Sequence, residues 1–564
     1  MMFMRKEEPP LSLWDKVKIH FAVHWRGIIT FLTPLILSPI LFLSSPPKQY
    51  HYVAYCLCLM AVYWVSECIP LVVTSFLPII ILPLTDVLTT SEVCAYYIND
   101  ALLMFIGSLI LAAAVEQSGL HKRLAYAAIR FIGYSHIRLL SAISIVTCFV
   151  SMWITNAAAT TMMVPITFAI LRVFEKQKLV TIYEKDLDGN PLASDITTCY
   201  FCAASFSATI GGIGTLVGTA TNLAFKGLLM TAYPQAPEDL SFPLFSAFGV
   251  PLMILLEIFM FLYFAIVYLG LFRPFSDTAK KLKMAPETIQ AAKRAVVEDS
   301  KKLGKITFWE IMVIILFGGA IISFFCRSPQ LFAGWGDAII NYHNLTDKKF
   351  VQDSAMASFV IFLMLFLPST TTIFKNCTAK YHEDLSKGRI RSVLHWPILI
   401  ADLPFSFAFL LGGGFALSGA ANKSGFNTVI GQTLAGLSGL PNILVLFIII
   451  TVVVLVTNLA SNVAVATVFC PIAMELASQL NKNPLWYCMA AGFSASFCFM
   501  LPVGTPGNLI IQSAANIPTP KMVKAGVGPT ITTIIITWLL MSFWAPIIWS
   551  DLDVKPAWAN NPAA

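Results

Sequence analysis

Thr155-Asn156-Ala157-Ala158-Ala159-Thr160-Thr161-Met162-Met163-Val164-Pro165-Ile166 and Ser461-Asn462-Val463-Ala464-Val465-Ala466-Thr467-Val468-Phe469-Cys470-Pro471-Ile472 are one phrase written twice. Both read hydroxyl-Asn-x-Ala-x-x-Thr-x-x-x-Pro-Ile, 306 residues apart (155 to 461). The same offset lays Gly107 on Gly413, Ala114 on Ala420 and Ser118-Gly119 on Ser424-Gly425. Several matches at one offset indicate a duplication. A second pair follows: Gly218-Thr219-Ala220-Thr221-Asn222-Leu223 and Gly504-Thr505-Pro506-Gly507-Asn508-Leu509, both Gly-Thr-x-x-Asn-Leu.

Each Asn phrase interrupts an apolar run, the first near 139–174 and the second near 441–480. The rest of the 564-residue chain is of the same character. It is 57% hydrophobic and 12% charged, with a mean hydropathy of +0.76. A soluble domain carries about 25% charged residues, so most of this surface faces lipid. Uncharged runs of about 20 residues recur, the length that crosses a bilayer. The net charge of +7 sits in loops between those runs and does not indicate nucleic acid. The twelve cysteines are scattered, mostly in apolar runs. Cys56/Cys58 and Cys199/Cys202 lack the second pair or nearby His of a zinc site.

Lys and Arg orient the runs, because cytoplasmic loops carry the excess. Residues 1–26 hold five basic residues and read as a cytoplasmic N-terminus, with no cleavable signal. The run 28–46 crosses outward. Residues 52–84 would make a helix of roughly 50 Å, and Pro70 divides them into two spans. Both ends of 139–174 are basic, so it is a re-entrant hairpin with its tip at Thr155-Asn156. Residues 273–307 carry nine Lys/Arg against four Asp/Glu and read as a cytoplasmic amphipathic helix and linker. Asn344-Leu345-Thr346 is a glycosylation acceptor on the outer side.

The organisation that follows is all-α integral membrane, with about eleven transmembrane helices plus two re-entrant hairpins. A first repeat spans 27–272, with its hairpin near 139–174 and a broken helix near 197–231. A second spans 308–549, with its hairpin near 441–480 and a broken helix near 486–516. Residues 550–564 form an extracellular tail. The span before the first hairpin runs inward and its counterpart outward, so the repeats are inverted, as in secondary transporters.

Hairpin tips and Gly-rich breaks leave backbone N–H and C=O groups unpaired, which is tolerable at membrane depth only around a cavity. Helices starting just after Asn156 and Asn462 point N-terminal N–H groups and a positive dipole end at it. Hydroxyls and Asn amides add donors and acceptors. Neither tip carries Lys or Arg, and neutral donors release an anion as readily as a carrier requires. The plainer reading of these Ser, Thr and Asn residues is hydrogen bonding between helices. Glu67, Glu116, Glu257 and Glu475 lie in or at the ends of apolar runs, each either a functional group or an interfacial one. Lys226 can snorkel. No His-Glu-x-x-His, Gly-x-Ser-x-Gly or Walker loop occurs, so an enzyme is not expected.

Ala495-Ser496-Phe497-Cys498-Phe499-Met500-Leu501-Pro502-Val503-Gly504-Thr505-Pro506-Gly507-Asn508 resembles the signature of the divalent anion–sodium symporter family, and Ser151-Met152-Trp153 is also typical of it. The resemblance covers nearly the whole chain. Thr155-Asn156-Ala157-Ala158 and Gly218 to Leu223 are most similar to the insect "I'm Not Dead Yet" branch. The resemblance implies a plasma-membrane homodimer whose protomers each have a scaffold and a transport part moving as an elevator. Substrates would be citrate, succinate and related di- and tricarboxylates. They would be held by Thr155, Asn156, Ala157, Thr219, Ala220, Ser461, Asn462, Val463, Thr505 and Pro506. Sodium in the family sits beside each tip, here at Ser151, Asn156, Gly218 and Asn222, and at Asn462, Gly504 and Asn508. This sequence departs from the pattern. Ala157 and Val463 replace the family's tip Thr, and Ala220-Thr221 stands where many sodium-coupled members have Gly-Pro. Sodium-independent exchange is the expectation, with sodium-coupled symport or sulfate transport as the alternatives.

Overall fold

The computed structural model describes residues 12–176, 180–185, 191–272, 286–329, 332–345, 350–381, 385, 388, 390–403, 405–427, 429–430, 439–502 and 504–560. Residues 1–11 of the N-terminal segment, 273–285 of the linker, Thr346 of the acceptor triplet and 561–564 of the tail lie outside the described residues.

Helices of ten residues or more, in chain order, are α1 (Leu13–Leu37), α2 (Gln49–Ser66), α3 (Asp100–Ser118), α4 (Leu120–Ile132), α5 (His136–Ser151), α6 (Asn156–Lys176), α7 (Asp195–Gly211), α8 (Ala220–Ala232) and α9 (Phe242–Val267). They continue with α10 (Pro286–Lys302), α11 (Phe308–Cys326), α12 (Asp353–Phe366), α13 (Ser406–Lys423), α14 (Asn442–Thr457), α15 (Asn462–Gln479), α16 (Pro484–Ser494), α17 (Pro506–Ala515) and α18 (Thr519–Phe543). Among the described residues seven helical segments are long and apolar enough to cross a membrane, α6, α9, α11 and α15 among them.

The duplication is visible in the elements. Helix α5 ends at Ser151 and α6 begins at Asn156, while α14 ends at Thr457 and α15 begins at Asn462. The turns 152–155 and 458–461 therefore fall in register at the 306-residue offset. Beyond the hairpins the offset falls to 286 (218 to 504). Most of the difference, 14 of 20 residues, is an insertion in the first repeat: 18 residues (177–194) separate α6 from α7, but 4 (480–483) separate α15 from α16. The insertion carries an antiparallel hairpin, β1 (Tyr183–Lys185) and β2 (Pro191–Ala193). It is pinned to the second repeat, since Lys521 pairs with Glu184 at 2.9 Å and the Ala193 N–H donates to the Asn516 carbonyl.

Local signals set most boundaries. The Asn99 side chain accepts from Leu102 N–H at the start of α3, and Gly119 closes it in the left-handed region at φ 75°. Pro70 does follow a break, but what comes next is two short helices, Leu71–Thr74 and Leu77–Leu84. Their twelve helical residues cover about 18 Å, so the second span expected in 52–84 stops short of a full crossing. Helix α1 starts at Leu13, fifteen residues before the apolar run, and so takes Lys16, Lys18 and Arg26 into the helix itself. Helix α4 is amphipathic, burying His121, Ala125 and Ile129. Arg123 on its other side donates to the carbonyls of Leu303, Gly304 and Lys305 and pairs with Glu310 at 2.5 Å. Helix α10 packs on α4 and α6.

Lys226 does not snorkel. It is 8% exposed and lies 3.8 Å from Glu238 and 4.0 Å from Asp353. Arg327 joins the same two carboxylates, at 2.5 Å to Asp353. A lysine beside two acids reaches its counter-charges without extending to water, and three charges are buried, with Glu238 partly so, where one was expected to escape. Asn344 stands exposed in the turn after the helix Trp335–Tyr342, in the left-handed region at φ 52°.

Candidate functional site

One cavity of about 320 Å³ lies where the two duplicated blocks meet. Thr155, Asn156, Ala157, Gly218, Thr219 and Ala220 of the first repeat line it, and Ser461, Asn462, Val463, Gly504, Thr505 and Pro506 of the second line it opposite. Residues more than 300 positions apart are thus brought to one surface. A third wall comes from outside the motifs: Glu67 at the end of α2, Leu71 of the short helix after it, and Phe105, Ser108 and Leu109 of α3.

Four helices start at this cavity. Helices α6 and α15 begin at Asn156 and Asn462, and α8 and α17 begin behind the N-cap residues Thr219 and Thr505. The first N–H groups of a helix have no intrahelical acceptor, and each start carries about half a positive charge from the aligned peptides. Ser461, Thr219 and Thr505 are the residues before three of these helices, and none of their side chains makes a capping hydrogen bond. Their hydroxyls remain available to a ligand. Thr155 differs: its Oγ1 accepts from the Ala158 N–H at 3.3 Å. No Lys, Arg or His lines the cavity among the described residues. Its positive character is therefore main-chain in origin.

Behind each tip is the same scaffold of hydrogen bonds. Ser151 Oγ donates to Asn156 Oδ1 at 2.9 Å and to the Ala208 carbonyl at 2.7 Å as alternative acceptors. Thr457 Oγ1 does the same toward Asn462 Oδ1 at 2.8 Å and the Ala495 carbonyl at 2.6 Å. Asn222 Nδ2 donates to the Gly212 and Thr215 carbonyls at 2.9 and 2.8 Å. Asn508 Nδ2 donates to those of Cys498 and Leu501 at 3.2 and 3.1 Å. The unwound stretches 212–219 and 498–502 are held open by one Asn amide each. At Gly212 an added Cβ would stand 2.5 Å from Asn156 Oδ1, so the tip can approach the break only because no side chain is there.

The two halves differ in one respect. Asn508 Oδ1 accepts from Ser205 Oγ of the first repeat at 2.8 Å. Asn222 Oδ1 is fully buried and has no hydrogen-bond partner. A buried amide oxygen without a hydrogen-bond partner, on a residue whose Nδ2 holds the Gly212 carbonyl, has the character of a hard-cation ligand. On the second side, Ser205 already occupies the matching oxygen. The residues of the first repeat fit a sodium ion in chemistry, and those of the second fit it less well.

Ser151, Asn222 and Asn508 stand behind the cavity wall and shape it. Thr457 was not among the residues singled out from the sequence, although adding 306 to Ser151 points to it. Ser108, Phe105 and the α2 end belong to no motif, and only their placement reveals them. Asn344 is not among the residues that line the cavity. Glu116 and Glu475 are also absent from that lining.

The chain also aligns with known proteins. A family model described as the sodium:sulfate symporter transmembrane region matches residues 23–550. The protein named "I'm not dead yet" of Drosophila melanogaster is 35% identical over 99% of this chain and 94% of its own length. The Na(+)/citrate cotransporter of Rattus norvegicus is 31% identical, covering 94% and 96%. Na(+)/dicarboxylate cotransporter 3 of Mus musculus is 32% identical, covering 96% and 95%. Among solved structures, the YdaH transporter of Alcanivorax borkumensis overlaps 80% of this chain and 86% of its own, with a TM-score of 0.50 and 13% identity. That likeness concerns the fold alone.

Proposed function

Since the chain belongs to the sodium:sulfate symporter transmembrane family, we propose that it carries citrate, succinate and related di- and tricarboxylates across the plasma membrane by sodium-independent exchange. The observation that carries this reading is the convergence of four helix starts on one cavity without a fixed cation. A dicarboxylate has two anionic ends, and the cavity has two facing sets of donors. One carboxylate is matched to the Asn156–Thr219 side and the other to the Asn462–Thr505 side. A cavity of about 320 Å³ is in the range of small-molecule sites. Sulfate, with its four oxygens on one centre, would leave one side unmatched. The relatives named for citrate and dicarboxylate support the same class.

Release is as necessary as binding. Neutral N–H and hydroxyl donors gain less from an anion than a guanidinium would, so the loaded state is not a trap. In the elevator reading the hairpins and broken helices move as one block past α2 and α3, and the inverted repeats give equivalent inward and outward exits. The polar side chains bind and position, and none is arranged as a nucleophile with a base. Ala157, Val463 and Ala220 in place of hydroxyl or glycine positions favour operation without sodium. The buried, unpaired Asn222 Oδ1 favours a second reading, symport with one ion held by Asn156, Gly218 and Asn222. The positive excess in 1–26 supports a cytoplasmic N-terminus, and the acidic tail an extracellular C-terminus. Exposed Asn344 is the proposed glycan acceptor, and the working unit is a homodimer.

Uptake of labelled succinate into proteoliposomes, with citrate as competitor, tests the substrate class. Sulfate uptake with no carboxylate competition refutes it. Replacing sodium by choline separates the two coupling modes, because exchange persists and symport stops. Asn156→Ala or Asn462→Ala should lower uptake at least about tenfold, the loss of one charge-assisted hydrogen bond, while the detergent-purified protein keeps its elution volume.

A further inference from the structure

Helix α4 and the end of α10 enclose a second hollow, an open groove of about 500 Å³ that shares no residue with the carboxylate cavity. The elements around it fix its depth. Helix α3 closes an apolar segment long enough to cross and passes into α4 through Gly119 alone. Helix α11, also apolar enough to cross, begins at Phe308, two residues after Ile306 of the groove wall. The Arg123–Glu310 pair holds these two places together. The groove therefore lies where two spans leave the hydrocarbon, at the level of the lipid headgroups.

Its charge has one sign. Arg123 and Arg130 line it, and no acid does among the described residues. Arg123 is committed to Glu310 and to the carbonyls of Leu303, Gly304 and Lys305, which closes one end of the groove. Arg130 is exposed and has neither an ion pair nor a hydrogen bond among the described residues. Asp299 of α10 is taken by Lys302 at 2.6 Å. Helix α4 and residues 286–306 together carry eight Lys/Arg against three Asp/Glu, so the surplus here is positive. Beside Arg130 the surface turns apolar. Phe131 is 92% exposed and Ile306 60%, and a soluble anion would have no use for either. Ser300 adds a hydroxyl to the lining.

We propose that this groove binds an anionic phospholipid, with the lipid phosphate on Arg130 and the acyl chains over Phe131 and Ile306. A guanidinium presents two parallel N–H donors that match two oxygens of a phosphate, and the Ser300 hydroxyl is a further donor. A zwitterionic lipid offers the same phosphate with its own cation beside it, and gains less from a positive surplus. The Lys/Arg excess places the groove on the cytoplasmic side, the face whose leaflet carries anionic lipids. Helix α4 joins α3, a wall of the carboxylate cavity, to the first hairpin. The lipid thus holds at one depth the segment from which that hairpin hangs.

The test reconstitutes the full-length protein in phosphatidylcholine vesicles holding a trace of phosphatidylglycerol with a photoactivatable acyl chain. Parallel vesicles hold a phosphatidylcholine probe with the same chain. After illumination the labelled peptides are mapped. Peptides covering 120–134 and 300–308 should take about fivefold more label from the anionic probe than from the zwitterionic one, the effect of one basic residue at an anionic surface. Arg130→Gln should bring that ratio close to one, and Arg130→Lys should keep most of it. Equal labelling of the unmodified protein by the two probes overturns the proposal, as does an Arg130→Gln protein with the unmodified ratio. Loss of the preference in millimolar glycerol phosphate marks a site for soluble phosphate esters and overturns it too. Elution volume reports on folding. If Arg130→Gln does not fold, an Ile306→Glu protein with the unmodified ratio overturns the proposal, since an acid in the groove must repel this ligand. The labelling involves no transport, so its outcome is independent of the carboxylate reading.

Discussion

Asn462 is held by Thr457, and Asn156 by Ser151, each through one hydroxyl that also faces a backbone carbonyl. Such a hydroxyl fixes the direction of the amide, and with it which face of the Asn meets the cavity. Thr457→Val keeps the shape and leaves Asn462 Oδ1 without its donor inside the protein. Loss of a buried partner costs about 1–3 kcal/mol, so succinate KM should rise about five- to a hundredfold, while Thr457→Ser should stay within about twofold. Kinetic measurement of the pair checks this. The motif residues were legible because their spacing is repeated, and Thr457 was legible by arithmetic from Ser151. Glu67 and Ser108 were not assignable to the cavity. They lie outside both repeated motifs, and a sequence does not say which wall faces which.

Elements were read well where a polar residue or a glycine marks the end, and less well where the chain is uniformly apolar. Helices α6 and α15 begin at the Asn residues themselves, one position earlier than the sequence suggests, and before the second, Ser461 already stands outside the helical region at ψ 132°. The short helices after Pro70 could not be told from a full span, since Leu71 to Leu84 is apolar enough for either. Close contact between elements shows most at Gly211 of α7, where an added Cβ would lie 2.1 Å from the Cys148 carbonyl of α5. The obstacle is backbone, so it cannot rotate away. Gly211→Ala should therefore destabilise by about 1–3 kcal/mol or spread α5 from α7. A lowered thermal midpoint for the detergent-solubilised protein, greater than that from Gly318→Ala on α11, where a Cβ meets nothing within 4 Å, checks the expectation.

At the scale of the molecule, Lys226 and Glu238 sit on and just after α8, whereas Arg327 and Asp353 sit at the end of α11 and the start of α12. The four charges tie the block that carries the cavity to helices outside it. Removing one partner of a buried pair leaves the other stranded, at about 3–5 kcal/mol. Asp353→Asn should lower the thermal midpoint sharply, while the combined Arg327→Met and Asp353→Leu change should recover part of the loss, as read by thermal unfolding of the three proteins. If α8 moves during transport, this cluster must open and re-form in each cycle, and its breakage should change turnover more than KM. Uptake rates at saturating succinate measure that. The duplication and membrane character were legible throughout, but a contact between residues 226 and 353 was not, because no periodicity links them.

The cavity draws its positive character from peptide N–H groups at four helix starts, and this has a consequence for inheritance. A single nucleotide change can delete an arginine, but none deletes a backbone amide short of introducing proline. Attraction for anions is thus shielded from most point mutations, while the side chains at Ala157, Ala220 and Val463 are free to vary. A lineage can exchange one preferred acid for another along this surface without passing through an ancestor that binds nothing.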